Sequence, residues 1–252
     1  MTSTTQSFSN GQSRPLGQLF FGIIDRPAAT FQAVVAQPRW FIWAAPLLVL
    51  ILGLAVLLIV QTPHTLELAR RQVESQLATM PEDQVEAAQA GMQMTMSLPF
   101  MLATGLGFGT IALVVATLAQ ATFLYFAALV SGGETNFGAM FRMSAWSRLP
   151  LALGALVQAG FIAFAGRLIQ YPGLSFFVAS GDLLQDARNP LFVLLSGLDL
   201  FWLWHLLLTV VGLAVAARVG RGKSLALTVL YAVLSLGITV LPTLLFGGMM
   251  AR

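Results

Sequence analysis

Two side chains in this sequence could carry a proton or hold a cation: Asp199 and His205, ionisable residues set in the apolar run Leu191 to Ala217. A charged Asp at the centre of a bilayer costs about 2.5–3.5 kcal/mol on insertion scales, so an ionisable residue in such a run is a functional candidate by default. Six residues apart on one helix, the two lie about 120° apart around the axis and about 9 Å along it. They do not form a hydrogen-bonded pair within a single helix. Asp199 stands near the start of the run, close to Asn189-Pro190, and a small slide of the helix would turn it into an interfacial cap. His205, flanked by Trp202 and Trp204, reads as a neutral imidazole bonded to a neighbouring helix, and Trp204 completes the set of candidate polar residues.

Other constellations are weaker. Met92, Met94 and Met96 offer thioethers, the soft ligands that select Cu(I), but only Met92 and Met96 share a helical face, and methionine is an ordinary filler of apolar gaps. Ser131-Gly132-Gly133-Glu134 is glycine-rich, yet a phosphate loop would carry a Lys-Ser/Thr pair that is missing here. The absence of cysteine removes disulfides, thiolate metal sites and thiol nucleophiles. An intramembrane enzyme would need a Ser/His couple, paired Asp residues or metal ligands, so the sequence points to no catalytic activity and no cofactor.

The elements that must position these residues are set by composition. Of 252 residues, 57% are hydrophobic and 9% charged, against roughly 25% charged in a soluble domain. Such a chain cannot cover a water-exposed surface. About 20 helical residues cross the hydrocarbon core, and five stretches are long enough: 41–60, 98–130, 149–169, 191–217 and 225–246. Backbone in lipid needs internal partners, so the predicted fold is all-α, an integral membrane bundle of about five helices within residues 40–252. The second stretch is long enough to be tilted, broken near Gly105 to Gly109, or extended beyond the lipid. Gly105 and Gly109 form a GxxxG pair, which favours close helix approach.

Flanking segments complete the plan. Residues 1–15 are rich in Ser, Thr, Gln and Asn and read as a disordered leader. Within residues 16–39, apolar positions three or four apart, interrupted at Asp25-Arg26-Pro27, predict two short amphipathic helices at the interface. Residues 61–97 predict an extracytoplasmic helical hairpin. Its first helix would start at Thr62-Pro63, and its second would follow a Thr79–Glu82 capping box.

Lys and Arg near the span ends set the orientation. Arg14, Arg26, Arg39, Arg142, Arg148, Arg218, Arg221 and Lys223 gather on one side, against Arg70, Arg71, Arg167, Arg188 and Arg252 on the other. The distribution predicts a cytoplasmic N-terminus and an extracytoplasmic C-terminus.

Three stretches carry a resemblance to a known family. They are Asp25-Arg26-Pro27 with Thr30-Phe31 and Pro38-Arg39-Trp40; Gly132-Gly133 with Phe137, Trp146 and Pro150; and Leu198-Asp199-Leu200-Phe201 with Trp204, Gly212 and the basic turn Arg218 to Lys223. Together they resemble the bacterial branch of the Yip family, multi-span membrane proteins named for interaction with Ypt/Rab GTPases. Twelve Arg against one Lys is a bias typical of GC-rich bacterial genomes and fits that branch, with a bacterial plasma membrane as the expected location. The resemblance implies a five-helix bundle and other membrane proteins as partners, an ABC-type transporter among them. The Asp-Leu-Tyr-Gly-Pro signature of the eukaryotic branch is missing, so the GTPase partner is not carried over. Nucleic acid is not expected. The leading reading is a non-enzymatic scaffold or accessory subunit of a membrane transport or trafficking system. The alternative is a small transporter or lipid-moving protein using Asp199 and His205.

Overall fold

Pro and Gly punctuate the apolar runs and thereby divide the chain into helices. The computed structural model describes residues 15–78, 81, 85 and 95–246. In chain order the helices are α1 (Leu16–Asp25), α2 (Pro27–Ala36), α3 (Trp40–Leu77), α4 (Leu98–Val130), α5 (Phe137–Ser147) and α6 (Leu149–Ala165), then α7 (Leu183–Arg188), α8 (Pro190–Ser196), α9 (Leu200–Ala216) and α10 (Arg221–Phe246). There is no strand among the described residues. The fold is an all-α membrane bundle: α3, α4, α5 with α6, and α10 are each long and apolar enough to cross a bilayer, and the bent pair α8–α9 supplies a fifth crossing if read as one span.

The span 191–217 is therefore not one straight helix. Its two parts meet at 66°. Gly197, Leu198 and Asp199 interrupt the helical path, and Asp199 takes an extended backbone from which α9 starts anew. One other expectation is corrected. The chain runs helically through Thr62 and Pro63, so no separate helix begins there and α3 is a single helix of 38 residues. Pro63 costs one backbone bond, and Thr62 Oγ1 donates to Leu58 O at 2.6 Å alongside it. Of the three alternatives for the second span, the break at Gly105 to Gly109 is excluded and a single long helix remains. Each helical Gly costs about 1 kcal/mol, less than an unsatisfied backbone group in lipid, so continuity wins. The third span ends at Ala165, where Gly166 adopts a left-handed conformation (φ 63°) and stops it. The expected leader and the second helix of the hairpin, with Met92 and Met94, lie outside the described residues.

The densest packing sits at one end of the bundle. Leu19 and Ile23 of α1, Phe31 and Val34 of α2, and Met140, Met143 and Trp146 of α5 are buried together with Ile42 of α3, Ala121 and Leu124 of α4 and Leu213 of α9. Pro27 opens α2 at its first turn, where a missing N–H costs nothing. Arg142 closes the other end of that helix: its Nε donates to Val34 O (3.1 Å) and its Nη2 to Val35 O (2.8 Å). A cation on the free carbonyls of a helix C-terminus is favourable. The same residue was counted above only as a topology charge. Elsewhere the helices turn wide apolar faces outward, as lipid permits: Leu52 and Val56 on α3, Phe108 and Ile111 on α4, and Val233 and Ile238 on α10 are exposed.

Candidate functional site

The residues singled out from the sequence fall in three places. Asp199 is exposed and caps α9: its carboxylate accepts from Trp202 N at 2.7 Å. Trp204 is half-buried and lines a small apolar groove with Phe20, Ile23, Val49 and Leu149. His205 points elsewhere, into the bundle, and is fully buried. Gly105 and Gly109 face α3. A Cβ on Gly105 would stand 3.4 Å from Leu58 Cδ2, and one on Gly109 would stand 2.8 Å from Leu54 Cδ2. Close approach at this face is what the absence of side chains permits.

Around His205 lies a polar cluster built by four helices. Arg148, at the joint between α5 and α6, reaches across to α4, where its Nε donates to Gln120 Oε1 (2.8 Å) and its Nη2 to Ala116 O (2.9 Å). The same Nη2 donates to Tyr231 Oη of α10 at 3.2 Å. Gln120 is buried and passes the network on, its Nε2 lying 3.3 Å from both Ser147 Oγ and Thr209 Oγ1. Thr209 Oγ1 donates to His205 O (2.9 Å), one turn back along α9. His205 Nδ1 is 2.9 Å from Ser147 O. A carbonyl only accepts, so Nδ1 carries the proton, and in the neutral ring Nε2 keeps a lone pair. That atom is buried with no partner.

Arg148, Gln120, Tyr231 and His205 line one side of an open cavity of about 680 Å³, whose other sides carry Val115, Phe123, Leu234 and Ile238 with Ser235 and Thr239. No three His, Cys, Asp or Glu side chains converge among the described residues, so the arrangement offers hydrogen bonds and one positive charge. Sequence reading missed Arg148, Gln120 and Tyr231 as a group. The available signal was a Gln and a Tyr inside apolar runs, each facing the same interior as His205.

A family model settles what this bundle is. The Yip1 domain model matches residues 21–243. The chain belongs to the Yip1 domain family. The match starts in α1 and ends in α10, so the Yip1 domain takes in the packed end, every candidate span and the polar cluster. Members are multi-pass membrane proteins linked to trafficking. Neither the curated proteins nor the solved structures contain a match to the chain.

Proposed function

We propose that this Yip1-domain protein is a non-enzymatic scaffold or accessory subunit of a membrane transport or trafficking system, working through its helix faces. The observation that carries the reading is the disposition of polar groups. Gln120, Arg142, Ser147, Thr209 and Trp146 spend their hydrogen bonds inside the chain and tie its helices to one another. What the protein presents outward is a set of fixed apolar surfaces. Such surfaces suit lateral association, where small residues and van der Waals packing decide affinity. Partners are then other membrane proteins, an export-type transporter being one candidate, within a bacterial plasma membrane.

The orientation proposed is cytoplasmic for the N-terminus and extracytoplasmic for the C-terminus. It is supported by the shared side of the basic turn Arg218 to Lys223 and the turn Ser131 to Glu134: Lys223 Nζ donates to Ser131 O at 3.1 Å, and Glu134 N donates to Ala217 O at 2.9 Å. The end of α4 thus meets the α9–α10 turn that carries Arg218, Arg221 and Lys223 on one face.

A photoreactive amino acid placed at Leu52, Phe108 or Val233 tests the scaffold reading in native membranes. Discrete protein adducts at one face are expected. Adducts to lipid alone at all three positions would overturn it. One observation favours the alternative reading, a lipid-moving protein: the bent α8–α9 pair beside a cavity, since interrupted helices mark transport sites. In that reading Asp199 does not share the site with His205, because it caps α9 at the surface.

A further inference from the structure

The cluster around Arg148 contains a charge without a counter-charge. Its neighbours Gln120, Ala116 and Tyr231 are neutral acceptors, and no Asp or Glu forms an ion pair with it among the described residues. Nη1 donates to no protein group there, so its two N–H bonds are the unused ones of a side chain that lines the cavity. Placing a cation in a low-dielectric site is costly unless an anion accompanies it. An anionic carboxylate or phosphate oxygen accepting from Nη1 would form a charge-assisted hydrogen bond.

Two hydroxyl residues of α10, Ser235 and Thr239, line the same cavity. His205 Nε2 is buried without a partner behind the wall and has no accessible surface toward it. A ligand that satisfies the cavity groups therefore carries an anionic oxygen for Arg148 with a hydroxyl or amine a short distance away for the two hydroxyls. The remaining wall is mostly hydrocarbon. Val115 and Ile238, at the edge of the cavity, are also 57% and 70% exposed on the outer surface of the bundle, so the cavity opens sideways between α4 and α10 toward the lipid. Its volume of about 680 Å³ falls within the roughly 300–1,000 Å³ typical of small-molecule sites.

We infer that the cavity between α4, α6, α9 and α10 binds an anionic phospholipid, its phosphate on Arg148, a headgroup hydroxyl or amine near Ser235 and Thr239, and its first acyl carbons along Leu234 and Ile238. This goes beyond the scaffold reading and does not depend on it. A scaffold that holds one lipid and a protein that moves lipids would both contain such a site. Phosphatidylglycerol fits best, because it supplies one negative charge and two hydroxyls. A phosphate ester in water presents similar head chemistry without the chain, and the sideways opening favours the lipid source.

The test uses the full-length protein purified in detergent and exchanged into lipid nanodiscs. Phosphatidylglycerol, phosphatidylcholine and water-soluble glycerol 3-phosphate are compared by thermal midpoint and by native mass spectrometry. Phosphatidylglycerol should raise the midpoint and remain bound at one copy per chain, while phosphatidylcholine and glycerol 3-phosphate should do neither. Arg148→Gln should abolish the selectivity. Because Arg148 also ties three helices and its loss could unfold the chain, Ala119→Phe serves as the second variant: it fills the cavity from the wall, touches no polar group, and should reduce occupancy at least tenfold while the protein stays folded. Equal stabilisation by phosphatidylcholine, or undiminished phosphatidylglycerol binding in Ala119→Phe, would overturn the site. A full effect from glycerol 3-phosphate would overturn the lipid and leave a soluble phosphate ester as the ligand.

Discussion

Trp146 Nε1 donates at 2.6 Å to Ile42 O, the carbonyl that Pro46, four residues on in α3, leaves without its helical donor. The indole of α5 thus takes the place of a backbone N–H in α3, and the two helices are joined by the bond that proline removes. Trp146→Phe should keep most of the packing but strand the carbonyl, at a cost of about 1–3 kcal/mol. Pro46→Ala restores a backbone donor, and in that background the cost of Trp146→Phe should shrink. Thermal midpoints of the four proteins in one detergent measure the coupling. Additive losses would mean that the indole matters only for its volume.

Asp199 holds the first turn of α9. Asp199→Ala should lower stability by about 1 kcal/mol, within the usual range for a lost helix cap, while Asp199→Asn should cost a few tenths. If the Asn variant is stable and abundant yet loses the phenotype that deletion exposes, the carboxylate does more than cap, and the lipid-moving alternative gains.

Gly105 and Gly109 let α4 lie against Leu54 and Leu58 of α3. Leucine at both positions should push the helices apart and cost about 1–3 kcal/mol of packing, with all spans still inserted because hydrophobicity rises. Unchanged thermal stability in detergent would show that this face has slack.

Gly173 sits at φ 60° with three carbonyl oxygens, those of Leu195, Ser196 and Leu198, 2.8 Å from where a Cβ would lie. Its neighbour Leu174 donates to Leu195 O at 3.0 Å, covering the end of α8. Gly173→Ala should therefore loosen the loop over the bend between α8 and α9. Faster hydrogen exchange at Leu198 to Phe201 is the expected readout. Gly181→Ala also places an L-residue at positive φ, but in open space, and serves as the control for backbone strain alone.

Single cysteines check the proposed orientation. Those at Gly11 and Lys223 should resist an impermeant thiol reagent in intact cells, whereas one at Gln76 should react. Labelling at Lys223 before lysis would invert the topology.

The membrane class and most of the spans were legible because hydropathy acts locally, through runs long enough to cross a bilayer. The Asp199 cap was legible as one of two options, since Asp at the start of a helical run satisfies free N–H groups wherever the helix sits. The Arg148 cluster was not. Its bonds join residues 28, 32 and 83 positions apart, and no periodicity reports a contact across that separation. Arg148 and Arg142 each looked like charges at a loop, and only the packing of α5 within the bundle gave them interior partners. Pro63 misled for a related reason. In an isolated segment Thr-Pro starts a helix, but within α3 the turns on both sides were already helical and one missing bond did not end it.

The continuity of α3 fixes a phase as well as a length. Thirty-eight residues at 1.5 Å each make a rod of about 57 Å, nearly twice the roughly 30 Å hydrocarbon core. If Trp40 marks one interface, about 27 Å stands beyond the other, ending in the turns that hold Glu67, paired with Arg71, and Glu74. Each residue of that rod also sets an azimuth of about 100°. Deleting one residue between Thr65 and Leu77 would lower its tip by only about 1.5 Å, yet swing everything attached there by more than a quarter turn. Height above the membrane would barely change, while the compass bearing of whatever follows Ala78 would be lost.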